Sequence, residues 1–522
     1  MVRPLCKSLG SRLRASLIVA VLALSQCANA ASPANLLLNG AFNKRIGAAL
    51  AVWTPVPGTY RPDFSQDGPD SVLSVTGANA AGVTGVRQTV VIKPEWVKVL
   101  VRGYVRVTRM AKTTSAGSIA FGATVDLKWR STPAGLQTPA ASPTWTAPTG
   151  GWVEINQLLD VPAGATELVV TPGVVGAVGA ADFKDLSVVA WVGTFADEFD
   201  GDSMDTTRWT ASDSDSLVYA PGEQYFAPDH VTVAGGIARF HAERKPHVAT
   251  KPRPPLDGNY ANTLYGDYQY QAGELQTIGK FQQLYGFWEF RLKVPVALGT
   301  WPAVYLLKWD DGWPPEIDVE ESTGKMPETV LQTNVWADDY GKMRRSWVNL
   351  SSAGLDRTAW HTYAVAWEPG RISWYIDGSY KGSTGEPEAV VSDVPMYIRM
   401  NLAVGTFGGD PSRTTWPIDM DCDFAHVYQR HDLTLPITMG APREITLPTT
   451  TIPLDAIACN PMTGATATWT IAEGPTGGTI AAPHSLTTTA TVAKPGMYRF
   501  NLTVTKGAST ASRDLLAYVN AH

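Results

Sequence analysis

The stretch Pro315-Glu316-Ile317-Asp318-Val319-Glu320-Glu321-Ser322 sets four acidic side chains among Ile and Val. Like charges on one strand repel and each resists burial, so their clustering points to a polar cleft in which carboxylates do chemistry. Alternate side chains of a strand share a face, which puts Glu316, Asp318 and Glu320 together. A β-bulge after Asp318 resets the alternation and brings Glu321 onto that face instead. One carboxylate, Glu316, therefore has two candidate partners, Glu320 and Glu321. A solvated acidic edge strand is the competing reading of the octet.

A nucleophilic carboxylate opposite a proton-donating one is the equipment of glycoside hydrolysis. The surrounding sequence sharpens that expectation. Upstream run Tyr285-Gly286-Phe287-Trp288-Glu289-Phe290, Gly299-Thr300-Trp301-Pro302 and Gly312-Trp313-Pro314-Pro315. Downstream run Trp360-His361-Thr362-Tyr363, Ile372-Ser373-Trp374-Tyr375-Ile376-Asp377-Gly378, Asn401-Leu402-Ala403-Val404-Gly405 and Asp423-Phe424-Ala425-His426. With the entry segment Phe195-Ala196-Asp197-Glu198-Phe199-Asp200-Gly201, these motifs resemble glycoside hydrolase family 16 over about residues 194–431. That family includes laminarinases, licheninases, agarases and carrageenases.

The resemblance implies an all-β, concanavalin-like curved jelly roll of two sheets with its cleft on the concave face. It implies hydrolysis with retention, with Glu316 as nucleophile, Asp318 as assisting acid and Glu321 as acid/base. Bulged family members carry an aromatic residue and then a Gly three positions after the acid/base; Gly324 stands three after Glu321. Ser322 replaces the usual aromatic, which keeps Glu320 as the alternative. The family pattern assigns substrate contacts to Trp301, Trp313 and Trp336, to Tyr305 (where many relatives carry Trp) and to Asn401, near the nucleophile. Asn334 and Val335 stand where glucanase relatives often carry His. No cofactor is required for catalysis. A structural calcium on the opposite face would take Glu198 and Asp423, since oxygen ligands suit that ion.

The 522-residue chain has room for several domains. Arg3, Lys7, Arg12 and Arg14 precede the apolar run Ala15 to Ser25, and Ala28-Asn29-Ala30 fits a cleavage site, so residues 1–30 read as a secretory signal peptide. Its loss takes the formal charge from −6 to −10, which excludes nucleic acid as a partner. No later apolar run approaches a bilayer span, so the expected product is a secreted, membrane-free monomer acting on polysaccharide. Cys422 and Cys459 remain after cleavage, as a disulfide or as two thiols. No metal-ligand spacing of His and no Gly-x-Ser-x-Gly elbow occurs, which leaves zinc hydrolase and serine esterase readings without support.

Short alternating runs rich in Val, Thr, Tyr and Trp, punctuated by Gly and Pro, predict β-sandwiches on both sides of the 194–431 segment. Residues 31–191 open with Asn35-Leu36-Leu37-Leu38-Asn39-Gly40 and close with Asp182-Phe183-Lys184-Asp185-Leu186-Ser187-Val188. Those ends resemble jelly-roll carbohydrate-binding modules and imply neighbouring first and last strands. Trp53, Trp96, Trp129, Trp145 and Trp152 are either sugar platforms or core. Residues 440–522 resemble an immunoglobulin-like module through Trp469-Thr470-Ile471 and the turn Lys494-Pro495-Gly496 before Tyr498-Arg499-Phe500.

The expected function is a retaining endo-β-glycanase for β-1,3- or β-1,3-1,4-glucan. Galactan or exopolysaccharide cleavage, and transglycosylation through the same intermediate, are the readings nearest to it. A non-catalytic polysaccharide-binding protein is the alternative from another class, opposed by the presence of all three carboxylates.

Overall fold

A computed structural model describes residues 35–46, 49–50, 52–56, 63–77, 82–113, 121–131, 137–215, 224–248, 268–308, 313–337, 342–351, 354–385, 387–432, 437–439, 443–458, 465–506 and 509–521. The expected signal peptide and Cys459 lie outside them. The chain divides into two compact units, one of residues 193–429 and one holding the described residues up to Val192 with those from Arg430. Among the described residues the helical elements are three single 3-10 turns, and all else that is regular is strand. None of their helices is long and apolar enough to cross a membrane.

The unit of residues 193–429 is a jelly roll of two sheets. One sheet orders its strands Thr210–Ala211, Glu274–Gln276, Met396–Val404, Thr300–Lys308, Glu316–Thr323, Met326–Ala337 and Met343–Ser351. The other includes Ile237–Glu243, Ile418–Arg430, Gly286–Lys293, His361–Glu368 and Arg371–Ile376 in that order. Between them lies an apolar core to which the acidic strand contributes Ile317 and Val319, packed with Val365, Trp367 and Trp374. This is the expected division of an alternating strand: branched side chains to the core, carboxylates to the other face.

The acidic strand is not regular. Tyr305 pairs with Asp318, but the next residue of that strand, Val304, pairs with Glu320. On the other side Thr333 pairs with Asp318 and Leu331 with Glu321. A bulge therefore sits at Val319 and Glu320, and it frees backbone carbonyls from the ladder. Buried side chains take them up: the Trp374 indole donates to the Asp318 carbonyl at 2.8 Å, and the Gln332 amide donates to that of Val319 at 2.8 Å. Past the strand, Gly324 donates its N–H to the Thr300 carbonyl at 2.8 Å. A Cβ at this glycine would stand 1.7 Å from the Ala297 carbonyl oxygen, so the hairpin accepts only glycine.

In the other unit, residues from Leu37 to Ala190 build one apolar core and residues from Ile452 to Val519 a second. The first and last parts of the amino-terminal sandwich meet as expected. The Asn35 side chain donates to the Leu186 carbonyl at 2.7 Å and accepts from the Val188 N–H at 2.9 Å. Trp53, Trp96 and Trp129 are buried in its core and Trp145 packs against it. Trp152 lies half-buried, its N–H on Asp67 at 3.0 Å and the Arg106 guanidinium 4.6 Å from its ring. The carboxy-terminal module is two four-stranded sheets around Trp469, Tyr498 and Phe500.

Trp374→Phe leaves the Asp318 carbonyl buried and unpaired, a loss of about 1–3 kcal/mol. Urea unfolding of the variant should show a lower midpoint; an unchanged midpoint contradicts the role given to that indole.

Candidate active site

The bulge brings Glu316, Asp318 and Glu321 to the face of the sheet turned away from the core. The Trp313 indole donates to Glu316 Oε2 at 2.8 Å, and the Trp301 indole donates to Glu321 Oε1 at 2.9 Å. Each glutamate is thus aimed by an aromatic N–H from a neighbouring segment. Both are half-buried, while Asp318 between them is buried.

Burial is the first cause of their altered acidity, because a desolvated carboxylate resists ionisation. It pushes Glu321 up to about 7, with the Glu316 charge adding to the rise and the Trp301 N–H opposing it. Glu316 is raised by burial against the Trp313 N–H and the Arg345 and Arg399 guanidinium groups. Asp318 is raised well above the ordinary range by burial and by the charges of both glutamates. The three cannot all ionise together, so the cluster holds a proton at neutral pH.

Glu320 takes the opposite direction. It is fully buried behind the strand, and neither carboxylate oxygen meets a hydrogen-bond partner among the described residues. It does not share the face of Glu316.

Other expected contacts divide. Trp301 and Trp313 stand at the carboxylates, engaged through their N–H groups. Tyr305 and Asn401 are buried beneath them, and the Asn401 amide donates to the Tyr305 hydroxyl at 3.2 Å. They form the floor of the site rather than an exposed sugar contact. Trp336 is a correction. Val335 pairs with Glu316, so its neighbour Trp336 falls on the opposite face, the face of Asn334, whose amide donates to the Val390 carbonyl at 3.0 Å.

The calcium expectation also changes. Glu198 accepts from His426 Nε2 at 2.5 Å, and Asp423 is paired with Arg291. Among the described residues no group of three or more His, Cys, Asp and Glu side chains is placed to hold a metal ion. These two carboxylates, each facing a cationic or imidazole partner, do not fit a calcium donor set. Cys422 is buried, a free thiol directed at the Phe424 carbonyl at 3.3 Å.

Two side chains at the site escaped the sequence reading. Arg345 pairs with Val335 in the row of Glu316, and its positive charge favours ionisation of all three carboxylates. Phe407, 37% exposed, lies edge-on to Trp301 with centroids 5.5 Å apart. Its turn is held open by backbone few residues tolerate, with φ of 82° at Gly405, 44° at Thr406 and 95° at Gly409. Hairpin register would have found Arg345; no pattern in the loop marks Phe407.

Residues 242–426 match the family Glycosyl hydrolases family 16, and residues 440–517 match a PKD domain family. The chain is 33% identical over 228 residues to endo-1,3-1,4-beta-glycanase ExsH of Rhizobium meliloti (strain 1021), covering 42% of this chain and 47% of that protein. It is 37% identical over 147 residues to endo-1,3-1,4-beta-glycanase EglC of the same organism, covering 28% of this chain and 30% of that protein. Each match spans less than half the length of these curated relatives. Among solved structures, the endo-beta-1,3-glucanase from Pyrococcus furiosus is similar at 26% identity, over 46% of this chain and 95% of that chain, with a TM-score of 0.40. The bulged acidic strand and its two indole-held glutamates thus lie within residues 242–426, a glycosyl hydrolase family 16 domain, which is followed at residues 440–517 by a PKD domain.

Proposed function

We propose that the protein is a retaining endo-β-glycanase that cuts β-1,3- or β-1,3-1,4-linked glucan. The observation that carries the reading is the pair Glu316 and Glu321, each fixed by one indole N–H on the two sides of a buried Asp318. The names of the similar Rhizobium proteins support the linkage class.

In this reading a Glu316 carboxylate oxygen attacks the anomeric carbon as the glycosidic C–O bond breaks. Glu321 gives its proton to the departing oxygen, leaving a glycosyl ester on Glu316. Glu321, now anionic, takes a proton from water, and the water oxygen displaces Glu316 from the anomeric carbon. Asp318 keeps its proton and shares it with Glu316, which lessens the repulsion between them. Ring faces of Trp301, Trp313 and Phe407 offer apolar platforms for pyranose rings. The same reading takes the enzyme as an exported monomer that meets its polymer outside the cytoplasm, supported by the basic and then apolar opening of the chain.

Reducing-end release from laminarin, mixed-linkage β-glucan, agarose and carrageenan tests the substrate and the roles together. Glu316→Gln and Glu321→Gln should each lose at least about a hundredfold in kcat on a β-glucan, while Glu320→Gln stays active at pH 5.5. Full activity in the Glu321 variant sinks the assignment, and cleavage of agarose or carrageenan alone moves the substrate to galactans.

The acid must be protonated to act, so activity should fall as pH rises through about 7, where burial places Glu321. Trp301→Phe removes a hydrogen bond that favours the ionised form. Its basic limb should therefore move to higher pH, and a limb that moves down contradicts the account.

A further inference from the structure

The bulge leaves one carboxylate without a part in the proposed chemistry. Glu320 is 0% exposed, and both its oxygens are unpaired. It is not alone behind the strand. Arg357 is 1% exposed, spends one nitrogen on the Pro327 carbonyl at 2.8 Å, and leaves Nε and Nη1 unpaired. The buried hydroxyls of Ser322 and Tyr363 also lack partners. Unpaired buried groups of both signs, packed between two sheets, are a setting for internal water and not for an apolar seam.

These groups sense one another. The Arg357 charge and the Ser322 hydroxyl, which lies near without an aligned hydrogen bond, oppose the rise that burial imposes on Glu320. The Glu320 charge in turn raises the Tyr363 hydroxyl and, across the bulge, the Glu321 carboxyl. A buried ion pair of this kind is often replaceable by apolar side chains without loss of stability. Stability alone therefore gives little reason for a glutamate where Ile317 and Val319 show that the neighbouring core is apolar.

We propose that Glu320 is a positioning residue for Glu321: from the bulge, facing Arg357, Ser322 and Tyr363, it supplies a negative charge behind the strand that keeps the acid/base protonated. The proposal rests on Glu321 being the acid/base. Glu321 is faced by Glu316 on its own strand, by Trp301 from the Thr300–Lys308 strand and by Arg345 from the Met343–Ser351 strand. Glu320 is the one of these neighbours that acts from the core side.

The test is the pH profile of kcat/KM on mixed-linkage β-glucan for the full chain, Glu320→Gln and Glu320→Met. Glutamine removes the charge at nearly constant shape, and methionine fills the space without any polar group. Both variants should move the basic limb to lower pH, by roughly half a unit, while kcat at pH 5.5 stays within about threefold of the parent. A basic limb that stays in place in both overturns the proposal and leaves Glu320 a packing residue, whatever happens to the melting temperature. Glu321→Gln run beside them separates the two claims: if it keeps its activity, the acid/base assignment has failed and not merely its tuning.

Discussion

One irregularity of backbone, the bulge at Val319 and Glu320, decides which carboxylates face solvent and which face the core. Without it, alternation would carry Glu320 to the outer face and leave Glu321 between the sheets. A one-residue change of register is a discrete event, so something must hold it. Here the carbonyls it frees are bound by buried side chains, Trp374 from the opposite sheet and Gln332 from the adjacent strand. The catalytic geometry thus depends on packing on the far side of the strand.

The electrostatics follow from that arrangement. Three carboxylates on one face cannot all be charged in a partly desolvated site, so at least one proton is retained near neutrality. Which group holds it depends on local donors. Indole N–H groups stabilise the ionised forms of Glu316 and Glu321, Arg345 adds its charge, and Asp318 carries the largest opposition from burial and from both neighbours. Glu321 is left near the protonation balance of an acid that must later serve as a base.

The class of fold and the position of the cleft strand were legible because alternation, turn residues and clustered acids are local signals. The choice between Glu320 and Glu321 was half legible. Gly324 pointed to the bulged form, and the close approach of Ala297 explains why that glycine is there. What local signals do not carry is register between distant strands. Trp336 was misplaced for that reason, since its face is set by the pairing of Val335 with Glu316. Arg345 was missed for the same reason. Tyr305 and Asn401 were located correctly but lie under the site, because depth depends on how the floor packs. Glu198 and Asp423 were read as ion ligands when their partners, His426 and Arg291, come from elsewhere in the chain or sheet.

The central claim is that Glu321, and not Glu320, stands opposite Glu316 in the cleft. Azide rescue tests it directly, because a small anion can replace the missing base only where the lost side chain faced the anomeric carbon. With an activated aryl β-glucoside, Glu321→Ala should regain turnover in azide and release a β-glycosyl azide. Glu320→Ala should show no rescue. Rescue of the Glu320 variant, with none for Glu321, would mean that the strand is regular in solution and that the bulge does not organise the site.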